Sequence, residues 1–188
     1  MSCIAICGDS ASGKTVMAEL LAKEFGDVTV LECDRYHKWE RHSDHWKTEY
    51  THLNPQANYI DLMRQDIINL KKGKSVFRRD YDHSTGTFTD EREIKPSRHL
   101  IVVGLHTLMC PELYDLKIFM DPSTNLKIQW KMTRDMSKRG YTYEEVKQQI
   151  TKRHKDYDLF IEPLKLCADI VSNGCDQDDV VLKCKILL

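Results

Sequence analysis

Apolar positions along the chain alternate between two patterns. Residues 3–7, Cys3-Ile-Ala-Ile-Cys7, form an unbroken apolar run of the buried-strand type, whereas 16–25 places apolar side chains at 16, 17, 20, 21 and 25, a helical period. Residues 27–33 predict a second strand. From Asn54-Pro55 to about Lys72, the side chains of Ile60, Met63, Ile67 and Leu70 share one face of a predicted helix that Gly73 stops. Residues 75–81 and the segment after Gly86 read as a hairpin, with turn-forming residues at 82–86. Strands are predicted again at 100–103 and 116–120, then a long helix started by Asp121-Pro122 and a further helix from Glu144 to about His154. Residues 168–171 and 180–188 are predicted to close the chain as strands. Such alternation predicts an α/β fold with a mostly parallel central sheet, helices on both faces and a small hairpin and lid insertion.

The junction of the first strand and first helix carries the strongest chemical signal. Gly8, Asp9, Ser10, Ala11, Ser12, Gly13, Lys14 and Thr15 fit G-x-x-x-x-G-K-[ST], the phosphate-binding loop. Its glycines let the backbone turn tightly and aim successive N–H groups at a polyphosphate, beside the positive end of the following helix dipole. Lys14 is expected to reach the β- and γ-phosphates of ATP, and the Thr15 hydroxyl to hold Mg²⁺. The fold class narrows accordingly to a P-loop NTPase-type, three-layer fold.

Composition removes other classes. The 188 residues predict one domain, 1–188, with a single core. Lys plus Arg number 28 against 29 Asp plus Glu, so no global basic excess points to a nucleic-acid partner. No apolar run approaches the ~20 residues of a membrane span, and the phosphate loop begins too early to leave room for a leader. Seven cysteines without a C-x-x-C pair read as reduced thiols of a cytoplasmic protein.

Candidate chemistry gathers at the carboxyl ends of the predicted strands, where open α/β sheets bind ligands. Asp34-Arg-Tyr-His37 follows the second strand. The polar loop 38–54 then offers Trp39, Arg41, His42, Asp44, His45 and Trp46, and Gly104-Leu-His106 follows the strand at 100–103. On the long helix Lys127, Lys131, Arg134 and Lys138 form one basic stripe, with Asp135 and Arg139 beside it. Between 127 and 155 nine Lys or Arg face three acids, a local positive field suited to polyphosphate.

Several stretches together resemble the phosphoribulokinase and uridine kinase family of P-loop kinases, and more closely its phosphoribulokinase branch. They are 34–41, 53–58 with Asp61-Leu-Met63, Tyr81-Asp-His-Ser-Thr-Gly86, Gly104-Leu-His106, 134–140 and 157–169. The resemblance implies ATP-dependent phosphoryl transfer to a hydroxyl of a small sugar phosphate, ribulose 5-phosphate or a relative. Asp34 would be the catalytic base and, through water, a metal contact beside Thr15; Lys14 would act on the transferred phosphate. His37 and Arg41 would grip the acceptor's phosphate, and Tyr81, His106, Lys131, Arg134, Asp135 and Arg139 complete the expected substrate contacts. Arg134 and Arg139 also serve the nucleotide. A homo-oligomer is compatible with this reading.

Two departures matter. The family's strand before Gly-Leu-His normally ends in a metal-binding Glu, and here Val103 stands in its place. Plant-type members carry a regulatory Cys inside the phosphate loop where this chain has Ser12; Cys7 lies just outside it. Two alternatives therefore accompany the leading expectation: a nucleoside (uridine or cytidine) kinase, and a nucleotide-binding module without transferase activity.

Overall fold

The computed structural model describes residues 1–45 and 50–188; Trp46 of the decorated loop lies outside the described residues, as does the side chain of Lys138 of the basic stripe. Five parallel strands make the central sheet: β1 (Ser2–Gly8), β2 (Val28–Glu32), β5 (His99–Val103), β6 (Leu116–Met120) and β7 (Ile170–Ser172), in the order β2-β5-β1-β6-β7. A separate antiparallel hairpin joins β3 (Val76–Asp82) to β4 (Thr87–Ile94). The helices are α1 (Lys14–Phe25), α2 (Ile60–Lys71), α3 (Thr124–Arg139), α4 (Tyr143–Asp156) and α5 (Gln177–Leu187).

Strand alternation divides the core in two. Ile4, Ile6, Ile101, Val103 and Ile118 pack with Met17, Ala18 and Leu21 of α1 and with Val180 and Cys184 of α5. Ala5, Cys7, Leu100, Val102 and Phe119 point to the other face, against Met63, Ile67 and Leu70 of α2. Because both faces of β1 are covered, its sequence is uniformly apolar rather than alternating. Ile4 and Ile6 are fully buried, and truncating either to Ala should cost about 2–5 kcal/mol.

Three elements differ from the sequence expectation. Residues 54–59 are not helical. Asn54 caps a 3₁₀ turn, Pro55–Ala57, by accepting from Gln56 N at 2.9 Å, and the backbone then pairs with the loop after β2: Lys38 N donates to Ala57 O and Tyr59 N to Tyr36 O. That pairing overrides the helical signal until Ile60. The long helix is capped by Ser123, not Asp121, because the Asp121 carboxylate is ion-paired with Lys165 and its N–H donates to Ser172 O. Residues 180–187 belong to helix α5, not to a strand. Asp178 and Asp179 favour its N-terminal turn, and Val180 and Cys184, one turn apart, supply its buried contact.

Charged groups dock the hairpin onto the turn that follows β2. Asp66 of α2, 1% exposed, accepts from Tyr36 Oη at 2.8 Å and from both Arg78 Nε (2.6 Å) and Nη2 (2.7 Å) of β3. Asp80 of β3 pairs with Arg35 and with Arg92 of β4. The hairpin tip is thereby held beside the 3₁₀ turn Cys33–Tyr36, which carries Asp34.

Candidate active site

The phosphate loop leaves β1 at Gly8, whose φ is +142°; a Cβ there would lie 2.5 Å from Met120 O and 2.8 Å from Ser12 Oγ, so only glycine fits. Gly13, also at positive φ, is the N-cap of α1, and no side chain caps that helix. Ser12 Oγ is buried and has no protein partner, a donor left for an incoming acceptor. Both observations fit a phosphate cradle. Lys14 Nζ donates to Asp9 O at 2.5 Å, inside the loop itself, and burial lowers its pKa against the opposing pull of Asp9. Asp9 in turn accepts from Ser10 N at 2.6 Å and pairs with Lys127 Nζ at 3.2 Å. Thr15 is exposed in the first turn of α1. Among the described residues no group of three or more His, Cys, Asp or Glu side chains is arranged to hold a metal.

Asp34 is half-buried at the carboxyl end of β2, and an imidazole faces each of its oxygens. His37 Nε2 is 3.3 Å from Oδ1 and His83 Nε2 is 3.0 Å from Oδ2. Burial raises the Asp34 pKa, yet the hydrogen bonds from His37 and His83 outweigh it and hold the carboxyl well below its ordinary range. Asn58 Nδ2 donates to Asn54 O at 3.1 Å, which turns its Oδ1 toward His37 Nδ1 at 2.7 Å. With acceptors at both ring nitrogens, the charged form of His37 is favoured: burial lowers its pKa, and the bond to Asp34 more than reverses this.

Arg41 ties the loop after β2 to the hairpin tip. Its Nη1 and Nη2 donate to Ser84 O and His83 O, and its N–H donates to Gly86 O at 2.8 Å. Gly86 is at φ +79°, and a Cβ there would meet the Arg41 Cβ at 2.5 Å. Tyr81 stands edge-on to His37 and His83, with ring centroids 5.2 and 5.3 Å away. Arg139 Nη2 approaches His83 Nδ1 at 3.4 Å, on the side of the ring away from Asp34.

Asp135 is fully buried at the centre of the basic face of α3. It pairs with Lys131, with Arg134 Nε at 2.8 Å and with Arg139 Nη1 at 3.4 Å. Burial opposes its ionisation, but Arg134 and Lys131 hold its pKa at about 2. Arg134 Nη2 reaches over to Ser10 Oγ of the phosphate loop at 3.1 Å. Lys131 has its pKa lowered to about 8, by burial and then by Arg153. One carboxylate thus serves three bonded cations, a surplus of positive charge that an anion would complete.

The structure brings Asp34, His37, Arg41, Tyr81 and Arg139 together around the hairpin tip, and Arg134 beside the phosphate loop. His106 is different. It is 2% exposed, its Nε2 donates to Leu53 O at 2.9 Å, and burial lowers its pKa to about 4. Expected among the substrate contacts, it instead supports the loop from beneath through its bond to Leu53. Two residues went unremarked as individuals. In the sequence His83 reads only as turn chemistry, although it lies two residues past Tyr81 in a stretch carrying the resemblance. Arg153 of α4 has a buried Nη1 without a partner and belongs to the basic excess of 127–155.

A phosphate loop at the end of the central parallel strand β1, with a carboxylate at the end of β2 two strands away in the same sheet, defines a P-loop kinase fold. The chain belongs to the Phosphoribulokinase / Uridine kinase family, whose description it matches over residues 3–181. It is 37% identical over 173 residues to a phosphoribulokinase of Synechocystis sp., an alignment covering 89% of this chain and 52% of that protein. It is 32% identical over 200 residues to a uridine kinase of Clostridium perfringens, covering 98% and 95%. A solved phosphoribulokinase from Rhodobacter spheroides superposes with a TM-score of 0.72 at 25% identity, covering 90% of this chain and 68% of the other. The chain therefore spans about half the length of the phosphoribulokinases it matches in sequence. No helix among the described residues is long and apolar enough to cross a membrane.

Proposed function

We propose that residues 1–188 form a kinase domain that transfers the γ-phosphoryl group of ATP to a hydroxyl of a small sugar phosphate, ribulose 5-phosphate or a relative. The observation that carries this reading is the Asp34 carboxylate held between His37 and His83 at the strand end, next to a basic cluster that outnumbers its own counter-charge. An ionised carboxylate so placed accepts the hydroxyl proton as the oxygen attacks phosphorus. The new O–P bond forms while the bond from the γ-phosphorus to the bridging oxygen breaks, and that electron pair leaves with ADP. Lys14 exchanges its bond to Asp9 O for phosphate oxygens. Arg134 and Arg139 balance charge that builds on the transferred group, Arg41 holds the acceptor's phosphate, and His37 would join it by giving up its bond to Asn58. Mg²⁺, when bound, neutralises charge on the β- and γ-phosphates; Thr15 would hold it, with water and nucleotide oxygens.

A nucleoside acceptor is the second reading, favoured by the match along nearly the full length of a uridine kinase. Product identification separates the two. ³¹P NMR of the protein with ATP, Mg²⁺ and ribulose 5-phosphate should show a second phosphomonoester resonance growing as ADP appears. Growth of a nucleoside monophosphate signal with uridine, and none with sugar phosphates, would select the alternative.

A further inference from the structure

Strand β2 ends in Glu32, β5 ends in Val103, and the parallel register pairs these two residues directly. In-register neighbours in a parallel sheet send their side chains to the same face. Val103 and Val30 pack with Met17, Ala18 and Leu21 of α1, whereas Leu31 and Cys33 belong to the opposite core. Glu32 therefore lies on the α1 side of the sheet, about one strand spacing of ~4.8 Å from Val103. That is the face on which α1 packs, and Thr15 stands exposed in the first turn of that helix.

Mg²⁺ bound with a nucleotide uses one or two protein carboxylates, directly or through water, besides the phosphate oxygens. Val103 is 7% exposed and offers no oxygen. Both oxygens of Asp34 already face imidazole nitrogens, which suits proton transfer better than metal ligation. Asp9 is held by Lys127, Asp121 by Lys165 and Asp135 by its three cations. Glu32 is exposed at its strand end and enters none of these ion pairs.

We propose that Glu32 supplies the carboxylate of the Mg²⁺ site, together with Thr15, from the strand next to the one where an apolar residue stands. The charge is kept on the same sheet face and moved sideways by one strand. This inference rests on the ATP-dependent reading above and is independent of which acceptor is used.

Mn²⁺ is the probe, because free Mn²⁺ is counted directly by electron paramagnetic resonance. The full chain is titrated with Mn²⁺ in the presence of a non-hydrolysable ATP analogue. Glu32→Gln should weaken Mn²⁺ binding by the protein–analogue complex by about 10–100-fold, the range seen when outer metal partners are removed. Metal-free analogue binding and the melting temperature should not change. Glu19→Gln, an exposed acid on α1, is the control for general electrostatics and should leave Mn²⁺ affinity as it was. Unchanged Mn²⁺ affinity in Glu32→Gln, with the analogue still bound, overturns the assignment alone. Failure of the wild-type chain to bind the analogue with or without Mn²⁺ overturns the ATP-dependent reading and this inference together.

Discussion

His83, at the tip of the β3–β4 hairpin, holds one carboxylate oxygen of Asp34 at 3.0 Å across a turn that belongs to a different sheet. The electrostatic state of the strand-end carboxylate thus depends on how the hairpin is seated. Seating rests on Asp66, which receives Arg78 bidentately and Tyr36 through its hydroxyl. Arg78→Ala should leave the Asp66 carboxylate buried and uncompensated and cost about 3–5 kcal/mol of stability, measurable by urea denaturation. A loss within 0.5 kcal/mol would show that the hairpin is held by its other contacts.

Replacing the proton acceptor without changing its shape separates chemistry from binding. Asp34→Asn should lower turnover by ~10²–10⁴ while ATP affinity survives. Turnover at the wild-type rate would move the base elsewhere, with Asp135 next in line.

Lys14 is the one cation of the phosphate loop itself. Lys14→Ala removes a charge-assisted contact worth ~1.5–3 kcal/mol, about tenfold to a hundredfold in ATP affinity or turnover. Calorimetry showing unchanged affinity, alongside unchanged turnover, would exclude that role.

Arg41 donates to the hairpin tip at His83 and Ser84 and not, among the described residues, to the phosphate loop. Arg41→Ala should raise the acceptor KM, or lower kcat/KM for the acceptor, and leave the ATP KM nearly unchanged. A rise confined to the ATP KM would contradict its placement against the acceptor.

The Asp34–His37 pair predicts a pH window. His37 has a folded-state pKa above its ordinary 6.5, so its contribution to stability is complete below 6.5 and disappears as pH rises through the raised value. Asp34, depressed below its ordinary 3.8, contributes above 3.8 and loses that contribution as pH falls through the depressed value. The melting temperature of wild type minus that of His37→Asn should therefore be largest between about pH 4 and 6.5 and shrink above it. A difference independent of pH from 5 to 9 would rule out a charged His37.

Much of this arrangement can be read in the residues themselves. Gly8 to Thr15 between an apolar run and a helical period specifies strand, loop and helix, and the motif names the chemistry; Asp34 follows because a strand end is a place, not a pairing. Contacts between distant segments are what the pattern hides. His83 sits in a turn whose residues satisfy turn preferences by themselves, so nothing local says that its ring reaches Asp34. Asp66 reads as a polar residue on a helix until Arg78 arrives from the hairpin. Residues 180–188 have an apolar, strand-like run, and only the burial of Val180 and Cys184 on one side reveals a helix. At 54–59 a sound capping signal is overruled by pairing with the loop after β2. Val103 and Glu32 belong to one site only once the register of β2 on β5 is known.

Release of ADP, followed by a coupled assay at saturating Mg²⁺ over panels of sugar phosphates, free sugars and nucleosides, tests the account most directly, with Asp34→Asn assayed in parallel. The account predicts turnover with at least one sugar phosphate, little with the unphosphorylated sugar, and a ~10²–10⁴ loss in the variant. ADP release with no acceptor in either panel, although ATP binds and raises the melting temperature, would contradict it and leave a nucleotide-binding module.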